Sequence, residues 1–389
     1  MDKRYQKTVY ACFVGYIVQA IVNNFVPLLF LTFHSTYGIP LTRITFLVTV
    51  NFCIQLGVDL LSVKFVDRIG YRAAMILAHG TAAFGLMMLA VLPEMMPDPY
   101  TGILIAVVFY AIGGGLLEVI VSPVMEACPT PNKESAMSLL HSFYCWGHVG
   151  VVLLSTVFFA IFGISSWKIL AVIWAVIPIA NMIAFTKVPI ASLIQEGEQK
   201  MPLGTLLRTK MFWIFVLLMV CAGACEQAVS QWASTFAEKG LGVSKTIGDL
   251  AGPMFFAVMM GTARAIYGRS GEKLPLEKCI LLSSLLCLGS YFIISLSPVP
   301  ALGLIGCGIC GFSVGILWPG TFSMASASMP TGGTALFALL ALGGDLGCSG
   351  GPTYVGLISA ALGDDLRKGI FCAIIFPILL IVGLVLKRL

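Results

Sequence analysis

Asn51, Gln55 and Asp59 recur at four-residue intervals along an apolar run, and Glu118 stands between Gly113-Gly-Gly-Leu-Leu117 and Val119-Ile-Val121. An ionisable side chain at the centre of a bilayer costs about 2.5–3.5 kcal/mol on insertion scales, so each one held there is a functional hypothesis. A carboxyl in apolar surroundings with no cation adjacent in sequence can exist protonated, and can take up and release a proton. Glu118 is the leading group of this kind; a fixed carboxyl bonded to a neighbouring helix is the alternative. Glu226 and Asp345 are further titratable candidates, the latter in Gly343-Gly-Asp-Leu-Gly347. Asp59, close in sequence to Lys64 and Arg68, suits a gating or structural role as well as it suits coupling.

The second group of residues is made of amides and aromatics. Glu226-Gln227, Ser230-Gln231-Trp232 and Ser234 give one run a polar wall edged by an indole, with Gln227, Gln231 and Ser234 on one helical face. Gln19 and Asn23 stand four apart, followed by Asn24 and Pro27; His141 and His148 flank Trp146, and Trp318 precedes Pro319. Amides and carboxylates beside an indole suit a polyhydroxylated ligand, whose hydroxyls need paired donors and acceptors and whose C–H face stacks on aromatics. The contact set is therefore Gln19, Asn23, Asn24, Gln55, His141, Glu226, Gln227, Gln231, Trp232 and Trp318. Arg264 reads as a structural gate residue near the cytoplasmic end of its helix, where Gly268-Arg269 follows, placed to snorkel or to pair across the half.

These residues need long apolar helices to hold them. The chain has 389 residues, 58% hydrophobic and only 11% charged, with a mean hydropathy of +0.97; a soluble domain carries about 25% charged residues. Runs of about 20 apolar residues recur from end to end, at 8–33, 43–65, 73–93, 101–124, 138–163, 167–188, 209–237, 247–268, 278–297, 300–326, 333–360 and 367–387. This is an all-α membrane protein of twelve transmembrane helices in two six-helix halves, 1–188 and 209–389, joined by a polar cytoplasmic linker, 189–208, that contains Gln195-Glu-Gly-Glu-Gln-Lys200. The runs are too long and continuous for the alternating strands of a porin.

With the amino terminus inside, the cytoplasmic cations are Lys3, Arg4, Lys7, Lys64, Arg68, Arg72, Lys133, Lys187, Lys200, Arg208, Lys210, Arg269, Lys273, Lys278, Lys387 and Arg388. Outside stand Arg43, Lys168, Lys239, Lys245, Arg367 and Lys368. This asymmetry places both termini in the cytoplasm. The first run exceeds an ordinary signal-peptide core and lacks a small-residue cleavage site, so it reads as a retained helix. The net charge of +5 marks this sidedness rather than nucleic-acid binding. Cys307-x-x-Cys310 and most other cysteines lie in apolar runs, where they pack as small apolar residues. The glycine clusters lack a strand-to-helix context and read as helix-packing faces. No Walker motif, metal-ligand spacing or Ser-His-Asp grouping occurs, so neither an ATP-driven pump nor an enzyme is expected, and no cofactor or metal.

Asp67-Arg-Ile-Gly70-Tyr-Arg72 resembles the D-R-x-G-R-[RK] loop signature of the major facilitator superfamily, with Tyr71 in the usual Arg place and Val63 in that of the leading Gly. The resemblance implies the major-facilitator fold, and a gating role for Asp67, Arg68 and Arg72. Gly115-Leu-Leu-Glu118-Val-Ile-Val-Ser122-Pro123 is similar to the G-x-x-x-E-x-x-x-N-P segment of the fucose/galactose/glucose proton-symporter branch, with Ser122 replacing Asn. Leu139-Leu-His141-Ser-Phe-Tyr144 and Trp318-Pro-Gly-Thr321-Phe-Ser323 resemble two further segments of that branch. By that resemblance Glu118 is the proton-coupling carboxylate. The branch also has an Asp in its first helix, where this chain has Asn23 and Asn24; Glu226 could compensate.

The expected activity is proton-coupled uptake of a small neutral sugar, a monosaccharide, by alternating access. Sodium stays open as the coupling ion, given Asp59, Glu226 and Asp345. A proton-driven exporter of amphipathic compounds and a non-transporting membrane sensor are the rival readings. A monomer in a bacterial inner membrane is expected.

Overall fold

A computed structural model describes residues 3–193, 199–233, 250–363 and 365–388. Among these, every regular element is a helix, and ten helices are long and apolar enough to cross a membrane. One of them, Leu41–Met95, contains two spans, because Gly70 (φ 80°, ψ 156°) leaves helical geometry in the middle of the Asp67–Arg72 motif; side chains other than glycine rarely tolerate that backbone. Counting both parts, and adding Phe255–Ser270, gives the twelve spans expected.

They are α1 (Gln6–Asn24), α2 and α3 (41–69 and 71–95), α4 (Pro99–Ala127), α5 (Lys133–Phe162), α6 (Trp167–Lys187), α7 (Lys210–Ser230), α8 (Phe255–Ser270), α9 (Leu276–Leu296), α10 (Pro300–Val314, resuming at Leu317–Ser328), α11 (Gly333–Ala361) and α12 (Leu366–Cys372, resuming at Ile375–Arg388). The first boundary differs from the sequence reading. α1 yields after Asn24 to a 3-10 turn at Val26–Leu29 and a short helix, Phe30–Tyr37, since Pro27 supplies no N–H to continue the α-helical ladder. α7 runs through Lys210–Ser230, a turn follows at Gln231 and Trp232, and Ala233 is helical again; the rest of the run expected to 237 lies outside the described residues. Ser234, Lys239 and Lys245 lie outside the described residues, as does the linker stretch 195–198.

Contacts divide the chain into two compact units. One holds Met1–Pro131, Trp146–Gly197 and Gly333–Ala338; the other holds Asn132–Cys145, Glu198–Gly332 and Leu339–Leu389. The start of α5 thus packs with the second unit and the start of α11 with the first, whereas consecutive halves were expected from sequence.

Within the first unit, Arg43 pairs with Asp98 at 3.5 Å and stacks over Tyr100 at 4.1 Å, and Lys168 pairs with Glu94. At the other helix ends, Thr8 donates to the Pro189 carbonyl (2.6 Å), and Arg72 to those of Phe185 (2.7 Å) and Val188 (2.8 Å). The entries to α2, α4 and α6 therefore share one end, and the entries to α1 and α3 share the other with the exit of α6, as short loops between antiparallel neighbours require. Large apolar side chains such as Phe46, Leu60, Leu61, Phe84 and Val176 are exposed, while Asn51, Gln55, Asp59, His79 and Asn181 are buried. That is the arrangement a lipid solvent favours. The Asn181 amide donates to the Ala11 carbonyl (3.0 Å) and to His79 Nε2 (2.7 Å), whose Nδ1 faces the Met75 carbonyl (2.8 Å). This neutral network ties α1, α3 and α6.

Glycines set the helix spacing around the candidate site. A Cβ at Gly113 would meet the Ala78 carbonyl (2.6 Å) and Ala82 nitrogen (2.7 Å) of α3. One at Gly114 would meet Val22 (2.9 Å) and Gln55 (3.2 Å), and one at Gly115 would meet Gln55 and Val58 (both 3.1 Å). Three consecutive glycines thus let α4 pass at backbone distance between α1, α2 and α3. In the second unit Gly343, Gly347 and Gly351 of α11 lie against Val216, Val220 and Ala224 of α7, a small-residue seam in four-residue register.

Candidate functional site

Glu118 sits one helical turn beyond Gly114, so the helix that threads the glycine gap delivers its carboxylate toward α1. There Gln19 Nε2 donates to Glu118 Oε2 at 2.9 Å. Gln19 is 4% exposed, and its Oε1 is buried without a hydrogen-bond partner, so this amide has an acceptor to spare. One turn further along α1, Asn23 Oδ1 accepts from Gln55 Nε2 of α2 at 2.8 Å. Asn51, Gln55 and Asp59 are all buried along one face of α2, with Phe52, Cys53 and Leu60 exposed beside them. Three helices therefore converge on a layer of amides and one carboxylate. Asn24 turns instead to the Ala20 carbonyl of its own helix (2.8 Å).

The second unit holds a cluster of a different character. Arg264, 4% exposed, donates from Nε to the Gly315 carbonyl (2.7 Å) and from Nη1 to the His141 carbonyl (3.2 Å) and Cys145 Sγ (3.1 Å). Its Nη2 pairs with Glu226 Oε2 at 3.5 Å, and Gln227 Nε2 donates to Glu226 Oε1 at 3.3 Å. Arg264 is thus a buried cation clamped by α5, α7 and α10, and protonating Glu226 would remove a negative charge that stands beside it. The His141 ring lies 6.0 Å from Phe322, which in turn sits edge-on to Trp318 at 6.1 Å. Trp318 is 8% exposed and its ring fills the space that a side chain at Gly344 would need, beside buried Asp345. Gln231 is exposed, and Trp232 donates to the Pro352 carbonyl of α11 (3.2 Å). Of the expected Gln227–Gln231–Ser234 face, Gln231 N–H donates to the Gln227 carbonyl in helical register (3.1 Å), and Ser234 lies outside the described residues.

At the loop motif, Thr334 Oγ1 donates to Asp67 Oδ1 (2.8 Å), which leaves Tyr71 OH to donate to Thr334 Oγ1 (2.7 Å). Tyr71, in the usual Arg place, thereby joins the same small network at the start of α11. Arg72 holds the end of α6 by its two carbonyl bonds, and Arg68 is exposed.

The sequence reading passed over Cys145, Thr334 and Tyr16, and gave Ser122 no role beyond its place in the Glu118 segment. Tyr16 OH and Ser122 Oγ lie 2.8 Å apart, both buried. The signal for Tyr16 was present: it lies three residues before Gln19 and seven before Asn23, on the same helical face.

The family model for the Major Facilitator Superfamily matches residues 11–352, and the chain belongs to that superfamily. Its members are transporters, and this chain is a multi-pass integral membrane transporter of that fold. Comparison with curated proteins found no match. Among solved structures, the chain is similar to the FucP transporter in its outward conformation, with a TM-score of 0.83 at 15% identity and 99% of each chain covered. A variant of the E. coli fucose:proton symporter FucP gives 0.80 at 15%, again over 99% of each chain. The proton:xylose symporter XylE gives 0.81 at 12% identity, covering 99% of this chain and 95% of the other. The human organic anion transporter MFSD10 gives 0.74 at 14%, covering 97% and 99%. At these identities the likeness establishes the fold.

Proposed function

We propose that this transporter takes up a small neutral sugar together with a proton, and that Glu118 carries the proton. The observation that carries the reading is the Gln19–Glu118 bond (2.9 Å) set one turn from the Asn23–Gln55 pair (2.8 Å). A carboxyl that accepts from a neutral amide can do so in either protonation state, whereas Glu226 stands beside the Arg264 guanidinium. The amides around Glu118 offer the mixed donors and acceptors that sugar hydroxyls need. The sugar:proton symporters with this fold lend the same reading support.

Within the second unit, Glu226, His141 and Trp318 are further contact candidates around Arg264. Asp67, Arg72 and Tyr71 act at the gate, with exposed Arg68 beside them; Asp59 and Asp345 are secondary titratable groups. Import proceeds by alternating access of a monomer with both termini cytoplasmic.

The test is uptake of a panel of radiolabelled monosaccharides by purified protein in proteoliposomes, under an imposed pH gradient or an imposed sodium gradient. The expected result is accumulation of one sugar on the pH gradient. Accumulation on the sodium gradient alone would reassign the coupling ion, and movement of no sugar under either gradient would overturn the substrate class.

A further inference from the structure

Protic side chains in α1 form a buried column that continues past the candidate proton carrier toward the amino-terminal end of the helix. Thr8, Cys12, Tyr16 and Gln19 are between 0% and 4% exposed, and they recur at intervals of four, four and three residues, the spacing of one helical face. Gln19 meets Glu118. Tyr16 meets Ser122, which lies four residues after Glu118 on the same face of α4. α1 and α4 therefore pair in antiparallel register, rung by rung, with Gln19 on Glu118 and then Tyr16 on Ser122. At the end of the column, Thr8 donates to the Pro189 carbonyl where α6 leaves the bundle. Lys3, Arg4 and Lys7 follow at that end.

A hydroxyl pair has no structural necessity at this place. Apolar packing would join two helices as well, and burying two hydroxyls costs desolvation that hydrogen bonds must offset. Their position supplies the reason. Residues four apart on a helix stand about 6 Å apart at Cβ, a separation that a carboxyl and a hydroxyl span directly or through one bridging water.

We infer that Tyr16 and Ser122 form the relay by which Glu118 exchanges its proton with the compartment at the amino-terminal end of α1. The proposal rests on the proton-coupled reading above. In the transfer, the Glu118 carboxyl gives its proton to the first hydroxyl oxygen as that hydroxyl passes its own proton to the second. The second passes its proton onward to water at the end of the column. Glu118 is left as carboxylate, both hydroxyls are regenerated, and one water becomes hydronium. Tyr16 and Ser122 are positioning and relay groups, and sugar contact is no part of their role.

The experiment compares wild type, Tyr16→Phe, Ser122→Ala and Ser122→Thr in proteoliposomes, with the monosaccharide that wild type accumulates as probe. Two rates are read: equilibrium exchange of labelled for unlabelled sugar, in which the carrier keeps its proton, and net uptake driven by a pH gradient. The expected result is exchange within about 2-fold of wild type in all variants. Net uptake falls at least 10-fold in Tyr16→Phe and Ser122→Ala at unchanged KM, with recovery in Ser122→Thr, which restores the hydroxyl. Net uptake at the wild-type rate in both deletion variants would overturn the relay while leaving proton symport intact. So would an equal loss of exchange and net uptake, since that is what a packing defect produces. A wild type that moves sugar on no pH gradient overturns the relay together with the reading beneath it.

Discussion

Gly113→Ala and Gly57→Ala make the same chemical change in the same unit and are predicted to shift stability in opposite directions. At Gly113 the added methyl would stand 2.6 Å from the Ala78 carbonyl oxygen and 2.7 Å from the Ala82 nitrogen. An ordinary C···O contact needs about 3.3 Å, so α4 must move off α3 by about 0.7 Å. Overpacking of a close-packed interface costs about 1–3 kcal/mol, and the upper end applies because both blocking atoms are backbone and cannot rotate away. The helix gains about 1 kcal/mol from replacing Gly by Ala, which leaves a net loss of about 2 kcal/mol. At Gly57 a Cβ meets nothing within 4 Å, so only the helix gain remains, about 1 kcal/mol. For a unit of this size each kcal/mol shifts the melting midpoint by roughly 2–4 °C. Gly113→Ala should therefore melt roughly 4–8 °C below wild type and Gly57→Ala roughly 2–4 °C above it, followed by thermal unfolding of the purified protein in one detergent. Equal shifts of the same sign would refute the account of how α4 reaches the site.

A double-mutant cycle on Glu226 and Arg264 tests the second cluster. Glu226→Gln alone removes the carboxylate that pairs with a buried guanidinium and should cost about 3–5 kcal/mol. Adding Arg264→Met should recover part of that loss, with a coupling of about 0.5–3 kcal/mol, and strict additivity of the melting shifts would show that the two side chains are not partners. Gly70→Ala forces a side chain into a backbone geometry of positive φ and should cost about 1–3 kcal/mol. Gly204→Ala, where a Cβ meets nothing within 4 Å, is the control for handling and expression.

The spans were legible because lipid demands about 20 apolar residues for each crossing, and the polar stripe of α2 was legible because Asn51, Gln55 and Asp59 keep helical period. Glu118 stood out by its isolation. Its partner did not, since Gln19 is 99 residues away and the pairing depends on which helix faces which. The same holds for Arg264, which meets carbonyls of α5 and α10 and a carboxylate of α7. The Gly113–Gly115 run was readable as a packing face, but not as three contacts with three different helices. Ser122 departs from the Asn of the family segment, and only its contact with Tyr16 shows what that departure accomplishes.

The measurement that bears most directly on the account is accumulation of the transported sugar by Glu118→Gln beside wild type under a pH step of one unit. One coupled proton at that gradient supplies about 1.4 kcal/mol, enough for roughly tenfold accumulation. Wild type should approach that ratio. Glu118→Gln should exchange labelled sugar across the membrane yet stop at an internal concentration equal to the external one. A variant that still concentrates sugar on the pH gradient would contradict the assignment of the proton to Glu118.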